Sequence, residues 1–161
     1  MTARIEADRQ SAHNVELQRV AALLGGERVL RHALKDPLDV HDMLLLGLPG
    51  KALIHLIGSF VVLHKTESLE KAIGISLRTF QRRKDAPTKP LNQEQSGRTW
   101  KFAEILARAT TVLGSQEDAE QWLERPAIGL DQRRPIDLLA TPAGVQIVED
   151  FLQRLEYGVY A

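Results

Sequence analysis

The chain has 161 residues, 43% of them apolar, and its 21 Lys and Arg balance 21 Asp and Glu. That length can bury a substantial core without metal or disulfide support, and the absence of cysteine excludes thiolate nucleophiles, cysteine-bound zinc and disulfide frameworks. No run approaches the roughly 18 apolar residues of a membrane span, and the N-terminus lacks a signal-type apolar stretch, so the reading is a cytoplasmic protein with no membrane partner.

Apolar residues recur at spacings of three and four with no sustained strand-like alternation, which predicts an all-α protein. A first helix runs from about Ser11 to Leu24, placing Val15, Val20, Leu23 and Leu24 on one side, and Gly25-Gly26 ends it. Asp36-Pro37 opens a second helix that passes through Met43 to Leu46 and stops at Gly47. The stretch Leu53 to Leu63 is too apolar for exposure and is assigned to the core. Thr66 starts a helix with Leu69, Ala72 and Ile73 facing inward.

Gly74 to Lys84 is the most informative segment. Glycine gives the backbone freedom of a tight turn, Ser76 caps the helix that follows, and Leu77 and Phe80 fall on an inward face. Arg78, Thr79, Gln81, Arg82 and Arg83 then project outward, a mixture suited to base edges and phosphates in a major groove. A solvated amphipathic helix is the competing reading.

Asp85 to Pro90 breaks helicity twice with proline and reads as a connector. Asn92 and Gln95 form a capping pair for a long helix with Phe102, Ile105, Leu106, Ala109, Val112 and Leu113 along its stripe. Gly114 closes it, and Ser115 with Asp118 caps a short helix carrying Trp122 and Leu123 up to Pro126. Residues 126 to 134 read as a loop, 135 to 139 as a single helical turn, and Thr141-Pro142 as the start of a last helix. Val145, Val148, Phe151, Leu152 and Leu155 line one side of that helix before Gly158 ends it.

The neutral total hides a polarised chain. Residues 78 to 108 hold 8 basic against 3 acidic side chains, whereas residues 109 to 161 hold 4 against 9. A middle at +5 can recruit phosphate while an end at −5 stays away from it. The terminus Tyr157-Gly158-Val159-Tyr160-Ala161 is aromatic and apolar where free tails are normally polar, so it is expected to be held by its own domain or by a partner.

Ile73, Gly74, Ile75, Ser76, Thr79 and Phe80 resemble the turn and recognition helix of Xre/Cro-type regulators, with Glu70 standing where many such motifs have alanine. The C-terminal run is more specific. Trp122-Leu123, Pro126, Gly129-Leu130, Pro135 to Leu139, Thr141, Gly144, Val148, Leu152 and Tyr157 to Tyr160 resemble the toxin-binding region of Xre/MbcA/ParS-type antitoxins, over roughly residues 50 to 161. The resemblance implies a helical bundle with a Cro/Xre-like helix-turn-helix and a C-terminal helical toxin-binding domain. It also implies an antitoxin of a type II pair that represses its own operon and whose partner is a RES-domain toxin that consumes NAD; with no catalytic motif in the sequence, the chain is read as non-enzymatic.

Three segments follow from this reading: an N-terminal helical extension over 1–49, with dimerisation as a possible role, a DNA-binding domain over 50–113 and a toxin-binding domain over 114–161. Expected DNA contacts are Ser76, Arg78, Thr79, Gln81, Arg82, Arg83, Lys84, Lys89 and Arg98, with Lys101 assisting; a homodimer is expected to read a two-fold operator. Expected toxin contacts are Val148, Phe151, Leu152, Leu155, Tyr157, Gly158, Val159, Tyr160 and Ala161, with the tail covering the mouth of the NAD pocket.

No cofactor or metal is expected. The five histidines show no metalloprotease spacing, Asp39, His41 and Asp42 would not converge on a helix, and 48–51 lacks the features of a phosphate loop. A stand-alone regulator with a ligand-sensing or dimerising C-terminal part is the alternative, and a small His/Asp-based enzyme the third reading.

Overall fold

Side chains that satisfy orphaned N–H groups decide where most helices begin. The protein, seen in a computed structural model that describes residues 1–158, has ten α-helices, one 3₁₀ turn and no strand among those residues. The helices are α1 (Thr2–Leu23), α2 (Gly26–Leu30), α3 (Pro37–Leu46), α4 (Gly50–Gly58), α5 (Glu67–Ile73), α6 (Leu77–Asp85), α7 (Gln93–Leu113), α8 (Gln116–Glu124), α9 (Pro135–Leu138) and α10 (Pro142–Glu156), with the 3₁₀ turn at Ile128–Leu130. Asp36 caps α3 in a reciprocal box with Asp39, Asn92 caps α7 in another with Gln95, and Thr66, Ser76, Ser115 and Thr141 cap α5, α6, α8 and α10. Asp39 is thereby committed to capping.

Helix α7 is the axis of the molecule. It packs against α1, α3, α5, α8 and α10, and its Phe102, Ala103, Ile105, Leu106 and Ala109 are buried. Each large side chain so placed contributes about 1.5–3 kcal/mol. Val112 and Leu113, the end of the expected stripe, are half-buried.

Three expectations about the core are corrected. Val15 is exposed, because α1 starts at Thr2 and every residue before Leu17 lies outside the core; Leu17, Val20, Ala21 and Leu24 are the buried set. Leu77, in the first turn of α6, is 41% exposed rather than buried, while Phe80 is buried as expected. Val61 is also exposed: α4 ends at Gly58, so the apolar run continues as irregular backbone that leaves this side chain in water.

That irregular segment is fastened by Glu120, which is fully buried. Its Oε1 accepts the N–H groups of Val61, Val62 and Leu63, each at 2.9 Å, and Oε2 accepts Gln116 Nε2 at 2.9 Å. A carboxylate surrounded by donors in this way meets the requirement that buried charge be fully hydrogen-bonded. The connector after α6 is fixed in a comparable way, since Gly50 and Lys51 at the start of α4 donate backbone bonds to Lys89 O and Pro87 O.

Candidate DNA-binding and partner-binding surfaces

Helices α5 and α6 meet at a turn built from two facts about Gly74. Its φ is +75°, a left-handed value that favours glycine, and Arg98's guanidinium occupies the space a Cβ would need. Ile75 is buried in the turn and Ser76 Oγ accepts Thr79 N–H at 3.1 Å. Glu70 supplies a second cap: its Oε1 accepts Leu77 N–H at 2.6 Å. The residue that departs from the usual alanine therefore ties the first helix to the start of the second. A carboxylate there is also favoured by the helix dipole.

Arg78, Gln81, Arg82 and Lys84 stand exposed on α6, and Lys89 stands exposed just beyond it. None of Arg78, Arg82, Arg83, Lys84 or Lys89 joins a salt bridge among the described residues. Thr79 and Arg83 are half-buried; the Arg83 stem lies against Gly50, and Ser76 and Thr79 already share a hydroxyl–hydroxyl bond at 3.1 Å. The ammonium groups of Lys65 and Lys84 sit 4.5 and 5.7 Å from the Phe80 ring centroid, so the aromatic anchor of α6 is bracketed by cations.

Arg98 does not belong with that set. Its Nη2 donates to the carbonyls of Lys71, Ala72 and Ala140, which spends the guanidinium on the C-terminal end of α5 and on the residue before α10's cap. Lys101 is likewise occupied, at 2.9 Å from Glu149 and 3.4 Å from Glu104. Burial works against its charge, but its hydrogen bond to Glu149 and the fields of Glu104 and Glu149 outweigh that and hold its pKa above the ordinary lysine value. Arg134 makes a third link, donating to Ser68 on α5 at 2.6 Å and to both oxygens of Asp137. Hydrogen bonding to Arg134 keeps the Asp137 carboxyl below its usual range, against the opposing effect of desolvation.

The C-terminal module is set by close approaches. Gly144 abuts the Leu138 carbonyl, where any side chain would collide, so α10 can leave α9 only through a glycine. Phe151 lies against Gly129 and stacks on Trp122 with centroids 6.1 Å apart and ring planes 3° apart. Val148 and Leu152, expected from the sequence at the toxin contact, are fully buried in the core of the protein itself. Phe151 and Leu155 are half-buried, and Tyr157 is 73% exposed beside Gly158. Val159, Tyr160 and Ala161 lie outside the described residues.

Two apolar side chains escaped sequence reasoning here. Ile128 is 83% exposed next to Gly129, and Ile147 stands exposed one turn before Phe151. The signal for Ile147 was its place off the Val148–Leu152–Leu155 stripe, which should have marked a second apolar face. Ile128, Ile147 and the open side of Phe151 thus border one surface where α10 crosses the 3₁₀ turn.

Comparison with known proteins decides what these two surfaces belong to. Residues 39–104 match the family described as the antitoxin Xre-like helix-turn-helix domain, and residues 108–158 match the antitoxin Xre/MbcA/ParS C-terminal toxin-binding domain. Antitoxin Xre of Yersinia enterocolitica serotype O:8 is 34% identical over 109 residues, covering 67% of this chain and 70% of the relative.

The chain belongs to the Xre antitoxin family.

Antitoxin Xre of Photorhabdus laumondii is 30% identical over 87 residues, 53% of this chain and 58% of its own, and that of Pseudomonas putida is 32% identical over 84 residues, 52% of each. This Xre-type antitoxin therefore carries a helix-turn-helix on α5–α6 and a toxin-binding domain that ends in α10. Its family is one of antitoxins, not of enzymes. Among the described residues no helix is long and apolar enough to cross a membrane, and no group of three or more metal-capable side chains converges.

Proposed function

We propose that this antitoxin neutralises a RES-domain, NAD-consuming toxin in the cytoplasm and, as a homodimer, represses its own operon. It does so without catalysis or cofactor. The observation that carries the reading is the pair of exposed apolar side chains Ile128 and Ile147 beside half-buried Phe151, on the toxin-binding domain whose last helix leads to exposed Tyr157. Monomeric proteins rarely leave such patches bare unless something docks on them. On this reading residues 114–161 hold the toxin through Phe151, Leu155, Ile147 and Ile128, and the tail from Tyr157 to Ala161 occludes its active site. Residues 50–113 hold the DNA, and 1–49 extend the bundle.

Co-expression with the product of the adjacent gene tests the partner. A stable complex that copurifies, and whose NAD hydrolysis is suppressed, is the expected result; an adjacent product that neither binds nor consumes NAD removes the RES assignment.

On DNA, Arg78, Gln81 and Arg82 are assigned to base edges, with Lys84 and Lys89 on phosphates. Arg82→Ala is expected to weaken operator binding by roughly 1–3 kcal/mol and to relax preference at one base pair. Lys89→Ala should instead lower affinity for all sequences and reduce the salt dependence by about one phosphate contact. Fluorescence anisotropy across operator variants and salt concentrations separates the two. Unchanged affinity and preference for Arg82→Ala would remove α6 from the groove.

A further inference from the structure

Helix α3 carries much of its apolar content on the outside. Val40 and Met43 enter the core, whereas Leu38, Leu45 and Leu46 are 70%, 51% and 71% exposed. The exposed positions are Pro37, Leu38, His41, Asp42, Leu45 and Leu46, which fall along one side of the helix at spacings of three and four. Their chemistry is palindromic: two apolar residues, a His–Asp pair, two apolar residues.

A face of that kind matches itself. A two-fold axis passing between His41 and Asp42 sets Pro37 beside Leu46 of a second copy, Leu38 beside its Leu45, and His41 beside its Asp42. Every apolar side chain then meets an apolar one, and each imidazole meets a carboxylate rather than another imidazole. The His–Asp contact needs no particular charge on the ring, since an imidazole N–H donates to a carboxylate whether or not the second nitrogen is protonated. A parallel arrangement offers none of this, because it sets His41 on His41 and Asp42 on Asp42.

We propose that α3 is the face through which two copies of this chain associate, antiparallel and about an axis between His41 and Asp42. The proposal rests on the homodimer reading above and names the surface for it. Isologous interfaces require a self-complementary patch, and this one is complementary in apolarity and in hydrogen-bond donor and acceptor. A ten-residue helix is about 15 Å long and offers less than the ~800 Å² per partner of a standard interface. Association through α3 is therefore reversible, and a two-fold operator that engages two recognition helices at once strengthens it by linkage.

Sedimentation velocity on the full chain, over a concentration series with and without operator duplex, tests this. The wild type is expected to show a monomer–dimer equilibrium that shifts to dimer with operator. Leu45→Glu and His41→Asp should each weaken the dimer by about tenfold or more, and the double exchange H41D/D42H should restore it because the same pairs form in reverse order. All the changed positions are exposed, so unaltered circular dichroism and thermal melting are expected to accompany the loss. A dimer whose strength is the same in every variant overturns the α3 face and leaves the homodimer reading intact; a monomer at all concentrations, with and without operator, overturns both. Loss of toxin copurification in Leu45→Glu with an unchanged dimer also overturns the proposal, by assigning α3 to the toxin.

Discussion

Replacing Glu120 by alanine is expected to destabilise the protein by about 3–5 kcal/mol, the largest effect of any single polar substitution argued for this chain. Three consecutive backbone N–H groups, those of Val61, Val62 and Leu63, terminate on its carboxylate, and Leu63 itself is buried. Hydrogen bonds to a charged group contribute about 1.5–3 kcal/mol each, but water can reach the Val61 end of the segment and recover part of that. The expected total therefore sits below the simple sum. Glu120→Gln keeps one acceptor oxygen and loses the charge, so it should cost about 1–2 kcal/mol. Urea denaturation of the two variants beside the wild type gives the ordering. An alanine variant within about 0.5 kcal/mol of wild type would mean that solvent replaces the carboxylate without penalty.

A functional consequence accompanies the stability loss. The fastened segment joins α4 to α5, and α4 packs on α6, so Glu120 on α8 pins the entry to the helix-turn-helix. Arg98 on α7 and Arg134 just before α9 do the same, gripping α5 at Lys71, Ala72 and Ser68. Helix α5 is too short to hold its orientation alone, since isolated helices under about 12 residues are marginal in water. Three long-range polar contacts supply what its own length does not.

Those contacts mark the limit of what the sequence reveals. Ser76, Thr66, Asn92 with Gln95, and Thr141-Pro142 announce helix starts because a cap bonds within three residues of itself, and each of these acts as a cap in the structure. The turn at Gly74 and the inward set Leu69, Ala72, Ile73 and Phe80 were legible for the same reason, spacing on a short helix pair. Glu120 and Arg98 were not, because the backbone groups they bond lie 57 or more and 26 or more residues away, and a charged side chain in an amphipathic helix carries no sign that it turns inward. Val148 and Leu152 show the converse difficulty. A regular apolar stripe says that a face is covered, and whether a core or a partner covers it is fixed only by the packing around Gly144 and Gly129.

Removing Tyr157 to Ala161 is expected to abolish neutralisation while leaving operator binding and folding unchanged. The segment follows α10, and its loss removes the two backbone bonds that close the last turn, from Tyr157 to Gln153 and from Gly158 to Leu155, while leaving the body of the helix intact. Tyr157 is exposed and Val148 and Leu152 stay buried without it, so stability should change by less than about 0.5 kcal/mol. If the tail occludes the toxin's active site, the truncated protein should still copurify through Ile128, Ile147 and Phe151, yet the complex should hydrolyse NAD. That separation of binding from inhibition is the critical readout, because a tail that merely added contact area would lower affinity without releasing activity in the bound state. Phe151→Ala gives the complementary case: it breaks the stack on Trp122 and hollows the proposed docking surface, and it should weaken capture while a high antitoxin concentration still neutralises the toxin. Growth on toxin induction, paired with NAD consumption by the purified complexes, measures both, and full inhibition by the truncated form would shift the inhibitory role from the tail to the face of α10.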